Sequence, residues 1–197
     1  MFKRIIIKLL SIAEFLAIYA SGKLLGIFVV IRYLKNPNPR ITIHLLRAFG
    51  AVVGDKTTVK GSLIIDNSYE DKNSVGDLSY LKIGNNCYVG EWVYLDLSNG
   101  IELEDNVVIS AQASFITHSD CNRSEYLAKK FPRKSQKVKV ESGAWIGFRA
   151  TILPGVTVGY QSVIAAHALV RKNVEPKFVY AGIPAKQIRN LEELDKG

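Results

Sequence analysis

Cysteine is scarce: two residues in a chain of 197, Cys87 and Cys121. Two thiols without a spacing motif give no disulfide framework, and a reduced chain fits a cytosolic setting. An uninterrupted apolar run is also missing. Residues 5–34 are largely apolar, but Glu14, Lys23 and Arg32 break them up. A spanning helix wants about 20 apolar residues with few charges. A secretory signal wants an unbroken apolar core before its cleavage site, and Glu14 sits in the middle of that core. Acidic residues are short as well, 18 Asp and Glu against 26 Lys and Arg, for a formal net charge of +8. The excess is uneven. Residues 1–40 hold Lys3, Arg4, Lys8, Lys23, Arg32, Lys35 and Arg40 against Glu14 alone. Residues 119–139 hold Arg123, Lys129, Lys130, Arg133, Lys134, Lys137 and Lys139 against Asp120 and Glu125. Such fields attract phosphates, anionic lipids or nucleic acid. No nucleic-acid motif accompanies them, so nucleic acid is not an expected partner.

What is present is a rhythm of six. Aliphatic residues recur at Val140, Ile146, Ile152, Val158, Ile164 and Val170. A helix repeats near 3.6 and a half-buried strand near 2, so this period belongs to a hexapeptide β-helix. Upstream, the same rhythm gives Val53, Val59, Ile65; then Ile83, Val89, Leu95; then Leu103, Ile109, Phe115. Three hexads make one triangular coil, so the pattern predicts a mainly β chain folded as a parallel β-helix of about five triangular coils. The register breaks only after a third hexad. Insertions near residues 66–82, 101–102 and 119–139 are therefore expected at one corner. The residue four after each aliphatic is mostly small (Thr57, Cys87, Val107, Ala113, Ala144, Ala150, Ser162, Ala168), which suits tight bends. A solenoid needs caps at its ends. Residues 1–50 are expected as an apolar, basic, α-helical N-terminal segment, 51–176 as the β-helix with the inserted loop 119–139, and 177–197 as a short C-terminal helical cap. Asn36-Pro37-Asn38-Pro39 ends the first helical stretch, and Ile41–Phe49 can form one more short helix before Gly50. Arg4, Lys8, Ser11 and Gly22 fall near one face of the first helix. It is expected to seat in a membrane surface or to pack between subunits, with a true span as the remaining alternative.

Phe115-Ile116-Thr117-His118 closes the third coil, and a long polar loop follows at once. Here the chain resembles the hexapeptide acyltransferases, in particular the sugar O-acetyltransferases of the galactoside, maltose, xenobiotic and capsule branches. The resemblance covers roughly residues 50–190. It rests on Thr117-His118, Ala144-Trp145-Ile146-Gly147, Ile152-Leu153-Pro154-Gly155-Val156 and Tyr180-Ala181-Gly182-Ile183-Pro184-Ala185-Lys186. Ile183 departs from the family's usual Asn, and Phe148 from its small or polar residue. The resemblance implies a left-handed winding, acetyl-CoA as cosubstrate, a carbohydrate acceptor, and a homotrimer with sites between subunits. It further implies Trp145, Ala166, Arg171, Lys172, Lys186 and Arg189 as coenzyme contacts, the cations meeting phosphates. Histidine is well matched to removing a hydroxyl proton near neutral pH, so His118 is the expected catalytic base. Asp96 follows the third aliphatic of coil two, which puts it on the same prism side one coil away. It is the second candidate, to hold the imidazole or the sugar. Three converging histidines would suit zinc. His44 precedes the coils and His167 lies on another side from His118, so no metal is expected. The expected function is acetyl-CoA-dependent O-acetylation of a carbohydrate in surface polysaccharide or glycolipid synthesis. The expected location is the cytoplasm, at the inner face of the cell membrane. N-acetylation of a nucleotide-linked amino sugar and a non-catalytic scaffold are the alternatives.

Overall fold

A computed structural model describes residues 2–121 and 123–196. Three helices open the chain: α1 (Phe2–Leu25), α2 (Ile27–Leu34) and α3 (Pro39–Ala48). Gly26, at φ 109°, breaks the chain between the first two. Asn38 caps α3 by accepting the Arg40 N–H at 3.1 Å, with Pro39 in the first turn. Glu14, the charge that interrupts the apolar run, faces inward. It accepts from Tyr33 Oη and from Asn38 Nδ2, each at 2.7 Å, and so ties the three helices together. Those two hydrogen bonds hold its carboxyl below the usual range, the Asn38 bond most of all. At Gly22 a Cβ would stand 2.5 Å from the Phe49 ring, so only glycine lets α1 close on that ring. The α3 helix then packs on the first strands of the β region and α2 on the third, covering that end of the stack.

The six-residue rhythm winds as expected. Each aliphatic column forms one wall of a three-sided prism, with parallel strands in register. The first wall aligns Val53, Ile83, Leu103, Val140 and Val158. The second aligns Val59, Val89, Ile109, Ile146 and Ile164. The third aligns Ile65, Leu95, Phe115, Ile152 and Val170. All of these side chains are buried. Each contributes roughly 1.5–3 kcal/mol, an upper bound set by the unfolded reference. Because every strand pairs with the next turn of the same chain, few backbone groups are left over except at the two ends.

Three expectations need correction. The small residues four after each aliphatic do not make the bends; they are buried inside the corners. The bend lies one residue earlier, where Lys56, Asn86, Trp92, Asn106, Gln112, Arg149, Gln161 and His167 all adopt φ between 53° and 60°. The insertion expected at 101–102 lies earlier, between Asp96 and Ile101, because Ile101–Leu103 is already a strand of the first wall. The C-terminal cap is not mainly helical. Phe178–Ala181 joins the second wall beside Val163–Ile164, Lys186–Asn190 returns antiparallel to it, and only Leu191–Lys196 forms a 3-10 turn. This hairpin continues the wall and then reverses it, which ends parallel stacking.

Glycine just after the aliphatic has a different reason from glycine in turns. A Cβ on Gly147 would lie 2.6 Å from the backbone of Ile164 and Ala166 in the next coil. Neighbouring coils approach too closely there for any side chain.

Candidate active site

Three times the chain reaches the end of the third wall and leaves the prism before re-entering the first. Ile65 runs on to Asp66 and Asn67, Leu95 to Asp96, and Phe115 to Thr117 and His118. In the lower layers, Val93–Asp96 pairs with Leu63–Asp66 one residue beyond the aliphatics, which sets Asp96 over Asp66. His118 stands three residues past Phe115, the place where other corners bend. Instead of turning, it starts a two-residue strand paired antiparallel with Lys134–Ser135. The insertion is therefore a ribbon with one short helix, α4 (Glu125–Lys130), at its tip.

Asp96 is only 1% exposed and its carboxylate is fully employed. Oδ1 accepts from Asn67 Nδ2 at 2.9 Å and from the Ser98 N–H at 3.2 Å. Oδ2 accepts from the N–H groups of Thr117 and His118 at 2.8 and 3.0 Å, and lies 2.7 Å from His118 Nδ1. Burial alone would push this carboxyl up. The hydrogen bonds from His118, Thr117, Asn67 and Ser98 outweigh it and hold the group below the usual carboxylate range. An ionised carboxylate can only accept, so the Nδ1 beside it carries the proton. The Nε2 lone pair is then left for other work. The His118 side chain is 22% exposed, open at one end and held at the other. Thr117, fully buried, bonds the Asp96 carbonyl at 2.8 Å and fixes the strand end that carries the ring.

Around this pair the three insertions meet. Arg133 comes from the third. Its guanidinium donates to Asp71 of the first insertion at 2.6 Å, to Ser98 of the second at 2.7 Å, and to Asp120 beside His118. Ser98 also donates to Asp71 at 3.0 Å. Burial raises the Asp71 carboxyl, but hydrogen bonds from Asn73 and Ser98 and the Arg133 charge carry it below its ordinary range. Ligand atoms of Asp71, His118 and Asp120 lie within 4.8 Å of one another. The Arg133 charge already answers both carboxylates, so the donor set does not suit a cation.

The structure unites His118 with Asp96 as the hexad count requires. It does not gather the six expected coenzyme residues around them. Arg171 and Lys172 follow Val170 on the third wall, two strands from Phe115 or about 10 Å by strand spacing. Trp145 is on the second wall, 50% exposed, its indole N–H bonded to Ser110 Oγ at 3.0 Å. Lys186 and Arg189 sit on the returning strand of the hairpin beyond that wall. Ala166 lies in the bend leading from the second wall to the third, exposed, where Gly147 of the coil below meets its backbone. The four cations are exposed and form no salt bridge among the described residues. Phe148 and His167 meet edge to face at 5.7 Å, with Arg149 over the Phe148 ring at 5.0 Å. His44 packs on Phe15 among the helices. Sequence reasoning missed Asn67, Ser98, Asp71 and Arg133. Asn67 had a signal in retrospect, since it follows the residue paired with Asp96. Arg133 had none.

Comparisons with known proteins agree with the fold. A family model described as a hexapeptide repeat of succinyl-transferase matches residues 80–111 and 137–168. Galactoside O-acetyltransferase of Escherichia coli K12 is 31% identical over 123 residues, which is 59% of this chain and 60% of that protein. The match thus spans less than two thirds of the relative's own length. A solved galactoside acetyltransferase in complex with coenzyme A superimposes with a TM-score of 0.70 at 25% identity, covering 92% of this chain and 84% of that one. A maltose O-acetyltransferase from Clostridium difficile 630 shares the fold, with a TM-score of 0.68 at 21% identity over 90% of this chain and 88% of that one. In its hexad walls the chain is thus similar to hexapeptide-repeat acetyltransferases, a galactoside acetyltransferase among them.

Proposed function

We propose that this protein transfers an acetyl group from acetyl-CoA to a hydroxyl of a carbohydrate, with His118 as general base and Asp96 as its positioning partner. The observation that carries the reading is the 2.7 Å contact between His118 Nδ1 and a buried Asp96 carboxylate that accepts four further hydrogen bonds. Acetyl-CoA supplies the activated acyl group as a thioester. His118 Nε2 removes the proton of the attacking hydroxyl and returns it to the departing sulfur. Asp96 keeps Nδ1 protonated and stabilises the imidazolium between those two events. No covalent enzyme intermediate is required, and Cys121 has no part.

The exposed Arg171, Lys172, Lys186 and Arg189, which form no salt bridge among the described residues, are chemically suited to a polyanionic nucleotide end, and Trp145 and Ala166 to the pantetheine arm. They occupy walls and ends apart from His118. A complete site therefore calls for a second subunit that brings its own copy of these residues to His118. Outward-facing Tyr88, Val108 and Trp145 stack in register up the second wall, each at least two-fifths exposed. That apolar ladder supports packing of subunits wall to wall as a trimer. Residues 1–50 and 177–197 act as end caps on the left-handed prism of residues 51–176. The enzyme works in the cytoplasm, where acetyl-CoA is made, on acceptors for surface polysaccharide or glycolipid.

The test is CoA release from acetyl-CoA with a panel of sugars, repeated with His118→Ala. The variant is expected to lose about 10²–10⁴ in kcat while CoA binding is nearly kept. Undiminished turnover removes His118 from the chemistry. Turnover only with an amino sugar nucleotide replaces O-acetylation by N-acetylation.

A further inference from the structure

The helix α1 shows an outward face that nothing in the fold covers. Its inward side is clear: Ser11 and Gly22 are buried, and Ile7, Glu14, Phe15 and Ile18 are half-buried against α2 and α3. The small polar stripe of the sequence therefore faces protein, and the opposite stripe faces out. That stripe is apolar over several turns: Ile5, Ile6, Leu9, Ile12, Leu16 and Leu24, with Leu9 60% and Leu24 84% exposed. A soluble monomer rarely shows so long an apolar stripe.

The charges flank this stripe and are of one sign. Arg4 and Lys8 are exposed on the side toward α3, where Arg40 joins them, and Lys3 lies on the other flank. The acid of α1, Glu14, is turned inward to Tyr33 and Asn38. Between α1 and α3 runs a groove of about 670 Å³. Arg4, Lys8 and Arg40 line it together with Ile12, Phe15 and Ile41, and no acidic residue does.

We propose that α1 docks this protein on an anionic lipid bilayer. The helix lies in the interface with Ile5, Leu9, Ile12 and Leu16 among the acyl chains, and Arg4, Lys8 and Arg40 take lipid phosphates at the mouth of the groove. An apolar face flanked by cations is the arrangement that such a surface selects. Two observations set this occupant above the others. A second copy of α1 would offer Lys3, Arg4 and Lys8 no acid, because the acid of α1, Glu14, is turned inward. A membrane crossing is met by length and hydropathy over Lys3–Leu25. It would, however, pull Glu14 and the buried Ser11 face off α2 and α3 and into hydrocarbon. The inference stands apart from the reaction, since none of these residues belongs to the proposed site.

The experiment is flotation of the full-length protein with phosphatidylcholine vesicles, with and without phosphatidylglycerol. The expected result is binding that is strong with phosphatidylglycerol, weak without it, and released by alkaline carbonate. Leu9→Glu with Leu16→Glu, both at exposed positions, is expected to abolish flotation while the oligomeric state and acetyl transfer are kept. Arg4→Ala with Lys8→Ala and Arg40→Ala is expected to weaken binding to anionic vesicles on the order of 100-fold, at about fivefold per cation near a charged surface. Parental protein that fails to float overturns the proposal, as does a double glutamate variant that floats like the parent. Smaller assemblies of that variant in solution also overturn it and assign the face to a second copy. Protein that resists carbonate extraction overturns it in favour of a crossing helix.

Discussion

Two corners of the same prism differ in kind. Where the second wall turns into the third, bends at Trp92, Gln112, Arg149 and His167 repeat with the same left-handed φ, and successive coils superimpose. Where the third wall turns toward the first, the lower coils break off into insertions, and Asp96, Thr117 and His118 appear. The first corner is built by repetition, so its residues answer mainly to packing. The second is built by departure from repetition. It holds a buried carboxylate, a half-open imidazole and an arginine shared between two acids. Repetition gives a rigid frame, and the interruption supplies the polar groups that a frame of aliphatic columns cannot contain.

Variants at the two places should fail in different ways. His118→Ala, at the interrupted corner, carries the largest expected change. The loss in turnover already stated should come with a drop in thermal midpoint of only about 2–6 °C, because Asp96 loses one donor but keeps four other hydrogen bonds. A large drop in the midpoint would erase the distinction between the corners. Phe115→Ala lies three residues away but within the aliphatic column. It removes a fully buried ring and should cost about 3–5 kcal/mol in denaturant unfolding. If it instead lowers turnover with stability intact, the column is not the independent frame described here.

Arg133→Met sharpens the comparison from the other side. It leaves Asp71 and Asp120 without the guanidinium between them, and breaking such a buried pairing costs about 3 kcal/mol. The loss should be partly recovered by adding Asp71→Asn, as urea unfolding of the two variants would show. The smallest effect is in acid. The Asp96 and Asp71 carboxyls are held below their ordinary range in the folded protein. Their stabilising contribution is therefore complete above the unfolded carboxylate pKa of about 4 and is lost as pH falls through the lower folded values. Melting temperature against pH should drop below about pH 4 in the parent, and Asp96→Asn should shallow that slope. An unchanged slope would mean that Asp96 titrates alike in the folded and unfolded chain.

The prism and its pivotal pair were legible because both follow from counting. Leu95 and Phe115 are third members of successive triplets, so the residues after them must share an edge, and His118 and Asp96 meet at 2.7 Å. Counting loses hold where the rhythm stops. Nothing in the insertions shows that Asp71 and Arg133, 62 positions apart, close on one another. Their pairing depends on where the loops are released, and the coils alone fix that. The bend position escapes the sequence for a related reason. A small residue shows plainly in a sequence, whereas a left-handed φ at Lys56 or Arg149 leaves no mark on residue type.

By itself, then, the sequence determined a three-sided column, the corner at which it opens, and the histidine and carboxylate sharing that corner. Aliphatic periodicity acts through local strand geometry, and each coil repeats the last. Tertiary structure alone decided which face of α1 is left to the outside, how the three insertions lock through Arg133, and that the C-terminal cap is a hairpin. Those outcomes depend on contacts between segments distant in the chain, where a residue's partner is set by packed shape and charge rather than by spacing.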